Sequence, residues 1–315
     1  MSKYRSHLPQ LDGGLFLSDG GLETTLIFLQ GFELPFFASF PLVNDEKGRQ
    51  TLRDYYIRYA TIAKSNGTGF ILESPTWRAS TDWGVKMGFS EKDLAAVNRA
   101  AIALMDEIRQ KLESAGTPIV ISGCVGPRGD GYDPGTIMTP EEAEAYHGKQ
   151  IRVFADTAAD QVTAATMTNV NEAIGVTRAA QAAGIPVVIS FTVETDGRLP
   201  TGQSLGEAIT EVDSVTGNGP AYFMINCAHP THFEDALASG EPWLQRLRGL
   251  RANSSALSHA ELDQATELDD GNPVEFGAQH RALRQRLKHI NVLGGCCGTD
   301  HRHVEHICGA VKAAA

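Results

Sequence analysis

Two kinds of hydrophobic run alternate along this chain. Short, nearly continuous apolar runs at residues 15–18, 69–72, 119–123, 161–165, 187–192, 222–226, 247–252 and 290–293 predict eight strands. Unbroken apolar character is the pattern of strands covered on both faces, as in a parallel sheet. Between them lie stretches with apolar residues at three- and four-residue spacing. The clearest runs through Leu94, Val97, Ala101, Leu104, Ile108 and Leu112, with Ser90 and Asp93 set for a capping box and Gly116 as its stop. Another opens on Thr139 as N-cap, Pro140 at the first helical position and Glu142 placed to reach back. A third, "NVNEAIGVTRAAQAAG", stops at Gly184 just before the fifth strand.

A strand followed by a helix, eight times over, predicts a (β/α)8 TIM barrel forming one domain over residues 1–315. No G-x-G-x-x-G or P-loop follows any strand, which disfavours a doubly wound open sheet. The glycine doublets at 20–21 and 294–295 fall after strand ends instead. Residues 31–50 and 253–280 exceed ordinary connections. Such excursions in a barrel form substrate-site loops at the catalytic face, or subunit contacts.

Composition narrows the classes of partner. The chain is 42% hydrophobic, with a formal net charge of −11 and a pI near 5.4. That acidity argues against nucleic acid and anionic membrane, whose binding leaves a basic footprint, but it does not exclude a cationic small-molecule substrate. The first residues lack the apolar segment of a secretory signal, and no stretch reaches the length of a membrane span. Five cysteines, an odd count, then point to a reducing compartment with free or metal-bound thiols, so a cytoplasmic location is expected.

Strand C-termini share one face of a barrel whatever their separation in sequence. Cys227 follows the sixth strand, and Cys296 and Cys297 follow the eighth. Three thiols meeting there would leave one position of a tetrahedral zinc open, the mark of a catalytic site. Taken singly, a strand-end cysteine is more often a small buried hydrophobe, and an adjacent pair can be packing or a redox couple. Spacing alone leaves these readings beside the metal.

The segments "SDGGLETTL", "VISGCVGPRGDGY", "INCAHP" and "GGCCGTD" stand in the order seen in homocysteine S-methyltransferases, and the chain resembles that family over nearly its whole length. "NC" with "GGCC" is the most specific part. The resemblance implies a (β/α)8 barrel with zinc on Cys227, Cys296 and Cys297 and the homocysteine sulfur as fourth ligand. It implies a thiol acceptor, an onium methyl donor (S-methylmethionine, S-adenosylmethionine or betaine), and methionine as product. A free thiol is mostly protonated at neutral pH and a poor nucleophile, whereas a zinc-bound thiol is deprotonated. The methyl group then passes by in-line displacement, for which no general base is needed.

Further residues follow from the same placement. Asp19 and Gly20, after the first strand, line the amino-acid pocket by resemblance, or form a tight turn with Asp19 as a helix cap. Ser122 and Gly123 suit pocket backbone after the third strand, and Cys124 is expected to be a buried non-ligand. The family's ammonium-binding glutamate after strand four is missing, its place taken by Ala165. Glu73 is expected to take over the ammonium, with Glu194 as second candidate. Trp77 is a candidate for cation–π contact with an onium donor, or simply packs over the barrel mouth. Of the histidines near the cysteines, His301, His303 and His306 are expected on a surface helix capped by Asp300, most of the rings facing outward. His229, with His232 close by, merits inspection as a ligand.

Two alternatives stand beside this reading. The same fold and zinc chemistry can serve another thiol or donor, and a barrel with four protein ligands on zinc would bind without catalysis. A metallohydrolase is disfavoured because three thiolates blunt the acidity of a metal-bound water. Cobalamin and folate modules are not expected beside a full barrel, and oligomeric state is left open.

Overall fold

The computed structural model describes residues 2–313. Eight parallel strands close into a barrel in sequence order: β1 (Phe16–Leu17), β2 (Gly69–Glu73), β3 (Ile119–Val125), β4 (Gln161–Met167), β5 (Val187–Phe191), β6 (Tyr222–Asn226), β7 (Leu247–Ala252) and β8 (Val292–Gly295). β1 is only two residues long yet pairs with both β2 and β8, so it closes the ring. Side chains alternate across each strand. Phe16, Ile71, Val120, Val188, Tyr222 and Val292 fill the barrel interior, while Leu17, Ile119, Ile121, Val187 and Leu293 pack outward under the helices. The N-terminal segment seals the lower end, where the buried Gln10 amide donates to Gln161 Oε1 (2.7 Å).

The helices begin where capping residues predict. Ser90 and Asp93 close a capping box on helix Glu91–Leu112, and Thr139 and Glu142 close another on Pro140–Ala155. Gly184, in the left-handed region at φ 65°, ends helix Val170–Ala183. The first of these helices stops before Gly116. Glu113 turns out of it, and its carboxylate accepts from the Ile119 amide (3.0 Å) and the Tyr4 hydroxyl (2.7 Å).

Three expectations are corrected. The eightfold cadence lacks one long helix: after β6 the chain makes only Pro230–Phe233 and 3-10 turns, in a stretch broken by Gly240 and Pro242. Gly294 and Gly295 belong to β8 rather than following it. Residues 253–280 are not a plain loop, for they hold helix His259–Gln264 and the start of Pro273–Arg286. Among the described residues no helix is long and apolar enough to cross a membrane.

Candidate metal centre

The three cysteines reach one point from two strand ends. β6 ends in Asn226, and Cys227 then takes φ 55°, a left-handed conformation rare outside glycine. Such backbone costs of order 1–3 kcal/mol and persists only where its surroundings enforce it. The surroundings do so: the Cys227 amide donates to Arg251 O (3.2 Å), and the Cys227 carbonyl accepts from Thr192 Oγ1 (3.3 Å) and faces His259 Nε2 (2.8 Å). From β8, Cys296 is fixed by its amide on Ala252 O (2.8 Å). Close backbone approach explains the flanking glycines. A Cβ on Gly21 would lie 2.6 Å from Cys296 O, and one on Gly295 would lie 2.0 Å from Thr299 Oγ1.

The sulfurs of Cys227, Cys296 and Cys297 lie within 4.8 Å of one another, and those of Cys227 and Cys297 are 3.9 Å apart. Two thiolates sharing a tetrahedral zinc at ~2.3 Å stand about 3.8 Å apart, so the spacing suits such an ion. Each sulfur also receives one side-chain donor: Thr166 Oγ1 on Cys227 (3.9 Å), Asn226 Nδ2 on Cys296 (3.9 Å) and Tyr132 Oη on Cys297 (3.7 Å). Hydrogen bonds from the neighbouring thiols hold Cys296 well below the usual thiol range, and the contact with Cys296 pushes Cys227 well above it. One negative charge is thus favoured among three thiols, and a bound cation is what would let all three ionise.

Thr166 is a second left-handed residue, at φ 62°, where β4 slips register against β5. Asn226 pins it by a reciprocal pair: Thr166 N donates to Oδ1 and Nδ2 donates to Thr166 Oγ1, both 2.8 Å. Asn226 therefore orders the backbone beside one cysteine while donating to another.

Beside the sulfurs, one guanidinium ties two carboxylates. Arg251, on β7, reaches Asp19 Oδ1 (2.6 Å), and its other arm is hydrogen-bonded to Glu73; its Nε donates to Gly295 O (3.1 Å). Burial pushes the Asp19 carboxyl up to about 7 against the opposing pull of Arg251. Tyr55 also donates to Asp19 Oδ2 (3.1 Å) and Gly20 O (2.9 Å).

These groups open onto a cavity of about 430 Å³, ordinary for a small-molecule site. Asp19, Gly20, Glu73, Trp77 and the three cysteines line it, as do Cys124 and Ala165. Ser122, Gly123 and Glu194 do not. Ser122 lies inside the barrel, donating to Glu73 Oε1 (3.3 Å) and sharing a hydrogen bond with Thr163 Oγ1 (2.8 Å). Gly123 faces outward, where a Cβ would sit 2.6 Å from the Phe154 ring. Glu194 stands behind the wall, 3.0 Å from His259 Nδ1, and the His259 ring stacks on Tyr132 at 4.0 Å. The Glu73 carboxylate is already occupied by Arg251, and the Trp77 indole has one face under the Arg78 guanidinium at 4.0 Å.

No histidine joins the cluster: among the described residues the three cysteines alone form a group with ligand spacing. His229 caps the helix after β6 and faces Thr231 Oγ1 (2.8 Å), and burial holds its ring neutral, down at about 4. His306 is exposed and His301 half-buried, whereas His303 is buried, because it closes the capping box with Asp300 and meets Asp270 O (2.8 Å). The sequence reasoning missed Arg251, Asn226, Tyr132 and Thr166. A charge at the end of a buried strand was a usable signal for Arg251. Nothing local in the sequence marks Thr166.

Fold and site together define a (β/α)8 barrel carrying a three-cysteine candidate metal centre at the C-terminal ends of its strands. The family model described as homocysteine S-methyltransferase matches residues 16–311. Homocysteine S-methyltransferase 4 of Zea mays is 23% identical over 265 residues, 78% of this chain and 76% of that one. The metallated form of the homocysteine methyltransferase MmuM from Escherichia coli superposes with a TM-score of 0.73 at 18% identity, covering 96% of each chain. Its oxidized form also gives 0.73, at 19% identity and the same coverage. The chain belongs to the homocysteine S-methyltransferase family and is an enzyme of that type.

Proposed function

We propose that this enzyme transfers a methyl group from an onium donor to the thiol of homocysteine, giving methionine, with zinc held by Cys227, Cys296 and Cys297. The observation that carries this reading is the convergence of those three sulfurs on the wall of one cavity. Soft thiolate donors in a compact triangle select zinc over magnesium or calcium. When bound, zinc supplies the acidity that keeps a fourth, substrate thiol ionised at neutral pH.

The rest of the chemistry falls to the chain. The substrate sulfur's electron pair forms the new C–S bond as the donor's C–S or C–N bond breaks. That bonding pair stays on the leaving atom, and the onium departs neutral. Donors from Thr166, Asn226 and Tyr132 share the negative charge of the cysteine sulfurs, as outer partners of metal ligands do. Asp19, Gly20 and the neighbouring wall bound the amino-acid pocket. Trp77, on the cavity wall, is the aromatic group for the onium methyl groups, a contact worth about 0.5–2 kcal/mol.

Calorimetric titration of homocysteine into zinc-loaded, reduced protein, in two buffers of different ionisation enthalpy, tests the reading. Zinc-dependent binding with release of about one proton is expected, since the thiol binds as thiolate. No binding to a verified zinc site overturns it. A second reading keeps the thiol chemistry but changes the acceptor, because Ala165 offers the cavity a methyl group where the family resemblance implies a glutamate. A thiol other than homocysteine giving the same zinc-dependent proton release would favour it.

A further inference from the structure

We infer that Glu23 is the counter-charge for the cationic group of the substrate bound beside the three cysteines. The inference rests on the methyl-transfer reading and adds to it a residue that neither motif spacing nor strand position singled out.

Glu23 lies in helix Leu22–Thr24, the first turn after Gly20 and Gly21, on the wall of the cavity that the cysteines share. That turn is packed hard against the centre, since a Cβ on Gly21 would meet Cys296 O at 2.6 Å and the Thr24 hydroxyl accepts from the Gly298 amide (3.2 Å). The Glu23 carboxylate is partly buried and Oε1 accepts from Ser39 Oγ (2.6 Å). Among the described residues it makes no ion pair. Two cations share the cavity wall, and both are engaged elsewhere. Arg251 holds Asp19, Glu73 and the Gly295 carbonyl. Arg78 is stacked between Trp77 and Trp83, at 4.0 and 3.7 Å, and donates to Gly129 O (2.9 Å) and Asp130 (3.3 Å).

A half-buried carboxylate on the wall of the cavity that the thiols share, with no ion-pair partner of its own, is stabilised when a positive group arrives. Both proposed substrates carry one: the acceptor amino acid has an ammonium, the donor an onium centre. Glu73 cannot offer its carboxylate while Arg251 holds it, and Ala165 has none to offer. Ser39 engages one Glu23 oxygen, and the other has acceptor capacity left for a charge-assisted hydrogen bond.

The test compares wild type with Glu23→Gln, which keeps the shape and the acceptor for Ser39 but removes the charge. Zinc stoichiometry and thermal midpoint are measured first, with Ser39→Ala as a second variant that frees the carboxylate without removing it. Calorimetry then reads affinity for homocysteine and for 4-mercaptobutanoate, the same thiol without its ammonium; glycine betaine and S-methylmethionine serve as onium probes. The expected result is a loss of about tenfold or more for homocysteine in E23Q, with 4-mercaptobutanoate unchanged. Loss confined to the onium probes also supports the counter-charge role and assigns it to the donor. Equal loss for both thiols, or no loss for any ligand at full zinc occupancy, overturns the inference alone. A wild-type protein that takes neither thiol at a verified zinc site overturns the methyl-transfer reading and the inference with it.

Discussion

Asp19 shows what the barrel interior does to a single residue. The unfolded chain gives this carboxyl its ordinary value near 3.9, whereas burial raises it to about 7 in the folded protein. Between those values the folded state holds the proton more tightly. The stability that the protonated form contributes is therefore complete below about pH 4 and is lost as pH rises toward 7, at up to ~1.4 kcal/mol per unit. Asp19→Asn should remove that slope. Urea unfolding of both proteins between pH 4 and 8, taken as a difference so that metal loss cancels, checks it, and parallel curves would contradict the shift. A residue-level reading of the sequence located Asp19 at the mouth of the site but assigned Glu73 to the substrate. What it could not see was Arg251, 178 positions downstream of Glu73, claiming both acids.

Elements were more legible than side chains. The strands and the capped helices followed from unbroken apolar runs and from residues such as Ser90, Thr139 and Asp300, whose chemistry is local. The three cysteines were legible for a related reason: strand ends in a closed barrel share one face by topology. Gly123 misled because direction within a strand depends on register, which a one-residue error reverses; Ser122 points inward without reaching the cavity wall, and Glu194 lies beyond the end of β5 against His259. The register slip in β4 and the left-handed Thr166 left no local trace at all. The Arg251 tie belongs to this scale, since it joins β7 to the ends of β1 and β2 over the top of β8. Arg251→Met would leave two buried carboxylates facing each other, and breaking a buried pair in this way costs about 3–5 kcal/mol. Denaturant unfolding should show that loss and a partial recovery when Glu73→Gln is added, whereas Glu73→Gln alone should be mild because Asp19 and Arg251 remain a matched pair. A severe loss from Glu73→Gln alone would mean that the carboxylate has a partner beyond Arg251 and Ser122.

For the whole molecule, the candidate metal centre sits at one end of a barrel with an extensive apolar core of its own. Its interior plug and its strand–helix layer are built from apolar side chains. A structural zinc supplies folding energy outright, and its removal unfolds the domain. Here chelation should abolish zinc-dependent thiol binding while leaving a single cooperative thermal transition with a modestly lowered midpoint. Scanning calorimetry with and without chelator distinguishes the cases, and collapse of the transition would show that the metal holds the fold.

The same Arg251 tie constrains how this lineage could have been written. A glutamate at position 73 without the arginine would place two acids side by side in the barrel, whereas the arginine without the glutamate is matched by Asp19. By that charge balance the arginine is expected to precede the glutamate. Relatives that carry the arginine without the glutamate are expected as survivors of the intermediate step, and relatives with the glutamate alone should be missing unless their counterpart of Asp19 is neutral.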